Sequence, residues 1–203
     1  MELAKFFMSE NNNNYQITLS HRLIDLLIDH EYKEIDSNLI LGKTQKQSNE
    51  NNFWMADDKI DLLRVYFQFS NNVILTDAYN DFKEDVSATV NEKLTDIIIR
   101  KCEFHQRKKL SIKKLYNLRL SNFEILFLFT SIIGDLSKKA LKISGDGSKG
   151  VKNKLIIIGL ASSYSLIFNK WVFSPNEDIS YIMKLADKYL NDAEEFAKNI
   201  GLL

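Results

Sequence analysis

One stretch limits what this chain can become. From Leu155 to Pro175 it reads LIIIGLASSYSLIFNKWVFSP. Leu155, Ile156, Ile157 and Ile158 are consecutive apolar residues, and Leu160, Tyr164, Leu166, Ile167, Phe168, Trp171, Val172 and Phe173 follow. Placed on a helix at about 100° per residue, these positions cover more than one face. A helix that is apolar nearly all round must be covered on several sides. One side can face its own domain. The other needs a second partner, and an identical subunit is the simplest. Gly159, Ala161, Ser162, Ser163 and Ser165 are small enough for another helix to approach closely. The competing reading is the central helix of a monomeric bundle.

The 203 residues suffice for one domain, or for a small head and a larger body. Lys plus Arg and Asp plus Glu both number 27, so overall charge does not point to a polyanionic partner. One proline and seven glycines are few breakers for this length, and with many Leu, Ile, Lys, Glu and Asn they predict an all-α protein. Cys102 is the sole cysteine, which excludes an intrachain disulfide and a Cys-rich zinc site and fits a reducing cytoplasm. The start, MELAKFFMSENNNN, lacks the basic region and apolar core of a signal peptide. The uncharged window Leu155–Asn169 is shorter than the roughly 20 residues a bilayer requires. The expectation is a cytoplasmic protein with no membrane partner.

In chain order, residues 9–16 (SENNNNYQ) read as a polar arm. Leu19, Leu23, Leu26 and Leu27 predict an amphipathic helix over Ile17–Asp29, with Thr18 or Ser20 as N-cap. A short helix follows Asp36 or Ser37. Asp57 and Asp58 can cap a heavily apolar helix that continues to about Thr76. A further helix is expected over Phe82–Phe104, with Val86, Val90, Leu94, Ile97, Ile98 and Cys102 on one stripe. A short helix in the basic stretch Arg100–Arg119 leads into one over Ser121–Ile143. Ser144–Gly150 is the clearest loop, and Ser174-Pro175-Asn176 ends the opening helix. Ile179–Ile200 is the last amphipathic helix.

Few features favour catalysis. His21, His30 and His105 lack metal-ligand spacing with Cys or carboxylates. Cys102 and His105 are helical neighbours, but a nucleophile also needs an activating environment and an oxyanion site. The GDGSKG loop lacks phosphate-loop spacing and a preceding strand. No enzyme activity, cofactor or metal is expected. The basic run Arg100–Arg119 offers an anion site or, more plainly, a solvated turn. Glu103 offers either an anchor for a cationic ligand or an ordinary surface carboxylate.

Three stretches carry a family resemblance: Asp96–Phe104 (DIIIRKCEF), the helix from Gly159 ending in the Trp171–Pro175 step, and the amphipathic run Asp178–Leu190. Together they resemble the ligand-binding domain of TetR-family transcriptional repressors, in the AcrR-like branch that controls drug-efflux genes. The resemblance covers roughly residues 95–200. It implies a helix-turn-helix head at the N-terminus. On that reading Phe53-Trp54 ends a recognition helix opened at Ser48, and Lys59 lies at the start of the linking helix. Several positions depart from the family pattern. Lys46 replaces the turn Gly, Gln47, Asn51 and Asn52 occupy apolar positions, and Asp57 stands where a phosphate-gripping Lys is usual.

From Met1 to Lys59 the chain carries six Lys and Arg against ten Asp and Glu, a net charge of −4. DNA affinity comes largely from neutralising phosphates, so an acidic head lacks much of that attraction. Each apolar back-face residue replaced by Asn or Gln also removes on the order of 1.5–3 kcal/mol of burial. Asn remains able to read adenine.

The resemblance and the residues together predict a head over residues 1–56 and a regulatory and dimerisation domain over 57–203. The expected function is a repressor that binds operator DNA as a homodimer and is released by a hydrophobic small molecule. The alternative is a dimeric sensor or interaction module of the same fold that has lost specific DNA binding. Lys43, Lys46, Ser48, Asn49, Asn51, Asn52, Phe53, Trp54 and Lys59 are expected at DNA. Phe104, Phe123, Phe127, Tyr164, Phe168 and Trp171 are expected to line the ligand pocket. Gly159, Ser163, Ile167, Ile182 and Tyr189 are expected in the dimer interface, a four-helix contact made by the last two helices of each subunit.

Overall fold

Helix is the only regular structure among the described residues of the computed structural model, namely 13–42, 59–85, 87–145, 150–175, 178–199 and 201. The chain is all-α, as its composition implies. The helices are α1 (Asn13–Asp29), α2 (Ser37–Leu41), α3 (Lys59–Glu84) and α4 (Val90–His105), then α5 (Lys109–Leu118), α6 (Phe123–Ser144), α7 (Gly150–Phe173) and α8 (Ile179–Asn199). A 3-10 turn, Gln106–Lys108, joins α4 to α5.

Side-chain caps set several boundaries. The Asp36 Oδ1 accepts from the Leu39 N–H at 2.8 Å and opens α2 as expected. That bond also holds the Asp36 carboxyl below its ordinary pKa. Gly42 ends α2 at φ 72°, donating to the Asn38 carbonyl at 2.9 Å. A side chain there would only push aside the flexible end of Arg22, so the positive φ is what asks for glycine. Asn122 Oδ1 accepts from the Glu124 and Ile125 N–H groups and opens α6. Asp178 Oδ1 accepts from the Ser180 N–H ahead of α8.

Three boundaries differ from the sequence reading. Helix α1 starts at Asn13, inside the tract read as an arm. Thr18 and Ser20 are therefore not caps, and their hydroxyls donate back to the Asn14 and Ile17 carbonyls. The buried Leu19, Leu23, Ile24 and Leu27 outweigh the small helix penalty of the asparagines. Helix α3 does not stop at Thr76 but runs unbroken to Glu84, because Ile74, Leu75 and Ala78 continue its buried face. The break falls at 85–89, not before Phe82. Asp85 there accepts from the Ser87 and Ala88 N–H groups, and Thr89 with Glu92 forms a reciprocal capping box that starts α4.

The chain divides into two compact units, one comprising residues up to Asn72 and Lys108–Leu128, the other Val73–Arg107 and Phe129 onward. The expected domain boundary after residue 56 lies outside the described residues. In the first unit α1 packs against α2 and α5. Leu23, Ile24, Ile40, Leu63, Tyr66 and Leu115 are buried there. Ion pairing of Lys108 with Asp25, and a 3.1 Å bond from Lys114 Nζ to the Ile28 carbonyl, tether α1 to the segment holding α5. Part of the basic run is therefore structural. In the second unit α8 packs against α4 and α7, and α4 packs against α7. Its core includes Leu94, Ile98, Leu136, Tyr164, Ile167, Trp171 and Ala186.

Candidate functional site

Helix α7 has two apolar faces, and its own unit covers one. Leu160, Tyr164, Ile167, Phe168, Trp171 and Val172 are buried. The Tyr164 hydroxyl donates to the Leu94 carbonyl at 2.7 Å, and the Trp171 Nε1–H donates to Gln106 Oε1 at 3.2 Å. These bonds fix the inner face against α4 and the turn after it. On the opposite side Val151 is 73 % exposed, Ile158 62 % and Leu166 48 %, with Leu155 and Phe173 also open. At 100° per residue these five lie within about 80° of one another, a single stripe. On α8, Ile179, Met183 and Phe196 are likewise exposed, but they flank the face that buries Ile182, Ala186 and Leu190 and form no separate stripe. Helix α7 is also long and apolar enough to cross a membrane, beyond what its uncharged window suggested.

The expected interface residues divide by face. Ser163, Ile167 and Ile182 are buried within the unit, and Ser163 Oγ donates to the Tyr189 carbonyl at 3.3 Å. These side chains join α7 to α8 inside one chain and do not present a free surface. Gly159 is different, since a Cβ placed on it meets nothing within 4 Å. The exposed stripe consists of α7 residues that, Val151 apart, the sequence reading named as apolar but did not assign to the dimer interface.

A groove of about 710 Å³ runs beside this stripe. Helix α4 supplies Val90, Asn91 and Leu94, and α6 supplies Leu141. Helix α7 lines it with Leu155, Ile156, Ile158, Gly159 and Leu160, and α8 with Leu190, Ala193, Glu194, Phe196 and Ala197. Leu155, Ile158 and Phe196 therefore belong both to the groove and to the exposed apolar surface. The polar groups gather where α4 begins and α8 ends. Asn91 Nδ2 donates to Asn191 Oδ1 at 2.6 Å and reaches Glu194 Oε2 at 3.5 Å, and Glu194 Oε1 pairs with Lys198 at 2.6 Å.

The six aromatic residues expected at a ligand do not share one cavity. Tyr164, Phe168 and Trp171 are core, with the Phe168 and Trp171 ring centroids 5.0 Å apart. Phe104 is half-buried and edge-on to His105, which in turn lies edge-on to Phe168. Phe123 and Phe127 belong to the other unit, are well exposed, and line a pocket with Ile60, Asp61 and Arg64. Glu103 is exposed. The core of this unit holds an unusual charge. Lys101 is 1 % exposed, with Nζ 5.3 Å from the Phe168 ring centroid, and burial pushes its pKa from 10.5 to about 8.

Of the DNA-contact candidates, Lys43, Lys46, Ser48, Asn49, Asn51, Asn52, Phe53 and Trp54 lie outside the described residues. Lys59 is described, and its ammonium is committed internally. It donates to the Tyr32 carbonyl at 2.7 Å and the Ile35 carbonyl at 2.9 Å, and sits 4.4 Å from the Tyr32 ring centroid. Burial lowers its pKa. It closes the α1–α2 connection onto the start of α3, a structural task. Among the described residues no group of His, Cys, Asp and Glu is placed to hold a metal ion.

Sequence reasoning missed Asn91, Leu141 and Glu194 because nothing local marks them. Asn91 and Glu194 meet only through the packing of α4 against α8. Gly159 was the available signal: a glycine inside an apolar helix marks a place where something else comes close. No family model, curated protein or solved structure matches the chain.

Proposed function

We propose that the chain is a homodimeric, ligand-responsive regulator of the TetR type, joined through the outer face of α7 and the apolar margins of α8. The observation that carries this reading is the doubly apolar α7. Its inner face is bonded into its own unit, while Val151, Leu155, Ile158, Leu166 and Phe173 remain exposed opposite it. Covering one such side chain is worth about 1.5–3 kcal/mol, and a two-fold contact counts each residue twice. In this reading a hydrophobic ligand in the C-terminal helices favours one spacing of the two heads and lowers operator affinity. The effect is bounded by the ligand's differential affinity for the two states.

The experiment is the mass of the purified protein by light scattering, with Leu166→Glu beside it. Leu166 is exposed and lies outside the groove. The expected result is a dimer for the parent and a monomer with unchanged helicity for the variant. A monomeric parent at micromolar concentration removes the reading.

A second reading is favoured by one observation. Lys59, the DNA-contact candidate the structure describes, is spent on two carbonyls, and residues 1–59 carry a net charge of −4. A dimeric sensor without operator recognition accounts for both. A gel shift against the upstream region of its own coding sequence separates the readings, since the repressor requires tight, sequence-specific binding at physiological salt.

A further inference from the structure

The groove between α4, α6, α7 and α8 is apolar along its length and polar at one end, and that polarity has a sign. At the polar end Asn91 spends its amide hydrogens on Asn191 and Glu194, leaving its Oδ1 as an acceptor. Glu194 adds a carboxylate, of which Oε1 is held by the exposed Lys198 and Oε2 faces Asn91. Thr89, also in the lining, has its hydroxyl engaged with Glu92. The side-chain groups left to greet a ligand at that end are acceptors.

We infer that the groove binds an aliphatic molecule ending in a hydrogen-bond donor, an amine or a hydroxyl, with its chain along Leu94, Leu141, Ile156 and Leu190 and its head at Asn91 and Glu194. This rests on the ligand-responsive reading above and gives it a place and a chemical class. Its volume falls in the range of small-molecule sites, roughly 300–1,000 Å³, which are mostly apolar with a few polar groups that orient the ligand. An amine head meets the carboxylate and displaces Lys198, whose side chain is 60 % exposed and readily rehydrated. A carboxylate head meets like charge and an acceptor lone pair. Gly159 keeps the channel open, since a side chain there would project into space no other group fills.

The test uses decylamine, decanol and decanoate, each below its micelle threshold, with the full chain and no DNA, followed by calorimetry. The expected order is amine, then alcohol, then carboxylate, with amine over carboxylate by about tenfold or more. Gly159→Leu should abolish binding of all three, and it keeps the fold because leucine is the better helix former. Glu194→Gln should weaken the amine severalfold and leave the alcohol within about twofold. Decanoate binding as tightly as decylamine, undiminished binding to Gly159→Leu, or no binding of any probe overturns the inference. So does dissociation of a dimer by Gly159→Leu, which would make the groove a seat for the second subunit. None of these readouts depends on operator binding, so failure here and failure of the repressor reading are told apart.

Discussion

Lys101 offers a quantitative check on the core of the second unit. It is among the largest fully buried side chains, on α4 beneath α7, against the Phe168 ring. Its pKa falls from 10.5 to about 8 because burial penalises the ammonium. That drop corresponds to about 3 kcal/mol of destabilisation wherever the lysine is charged in both folded and unfolded chains. Between pH 8 and 10.5 the unfolded chain holds this proton and the folded chain does not, so stability rises with pH across that window. Lys101→Met keeps most of the volume and removes the charge. The parent should gain up to about 3 kcal/mol relative to the variant as pH rises from 8 to 10.5. Urea midpoints from pH 7 to 10, followed by far-ultraviolet circular dichroism, read this directly. The stability of Lys101→Met relative to the parent should fall as pH rises past 8. Parallel curves for the two proteins would refute the assignment of a desolvated ammonium.

Other consequences are local. Tyr164→Phe removes the hydroxyl that donates to the Leu94 carbonyl and should cost about 1 kcal/mol in a urea titration. Thr89→Ala breaks the capping box of α4 and should cost about 1 kcal/mol, seen as faster amide exchange in the first turn of that helix. Lys59→Met strips two carbonyls of their donor and should destabilise the first unit by about 1–2 kcal/mol, whereas a lysine used only at phosphate would leave stability unchanged. Burial against Tyr66 and Phe69 lowers the His21 pKa below 6.5, so the unfolded chain gains a proton first as pH falls. Stability should therefore decline below pH 6.5 until the folded histidine also titrates, and His21→Leu should lack that decline.

The helices legible in the sequence were those whose apolar period and cap agree. Asp36, one of the two starts the sequence offers, opens α2, and Ser174-Pro175 marks the end of α7. Where period and punctuation disagreed, the boundary moved. The sequence reading starts a new helix at Phe82, just after Asn80 and Asp81. They lie on the exposed side of α3, where polar residues break nothing, and the real stop was the Asp85–Thr89 turn. Thr18 and Ser20 resemble caps by type, but a hydroxyl inside a helix can bond back to a carbonyl one turn earlier, as both do. Nothing in single-sequence spacing separates the two uses.

The doubly apolar character of α7 was legible, but which residue serves which face was not. Composition counts the apolar residues of a helix and period gives their angles. Neither gives the rotation of the helix about its axis, which Tyr164 and Trp171 fix by bonding to Leu94 and Gln106. With that rotation known, Ser163 and Ile167 turn inward and Ile158 and Leu166 turn out. The same rotation bears on the membrane-length property of α7. A spanning helix meets lipid around much of its circumference, whereas the exposed apolar residues here occupy about 80°. Lys152, Lys154 and Lys170 are exposed beside them, and the far side is sealed against α4 and α8. A narrow apolar stripe bounded by lysines has the shape of a helix-to-helix contact, where the apolar seam is covered and the charges stay at its wet margin. Under the proposed homodimer, a second copy of α7 would supply that cover.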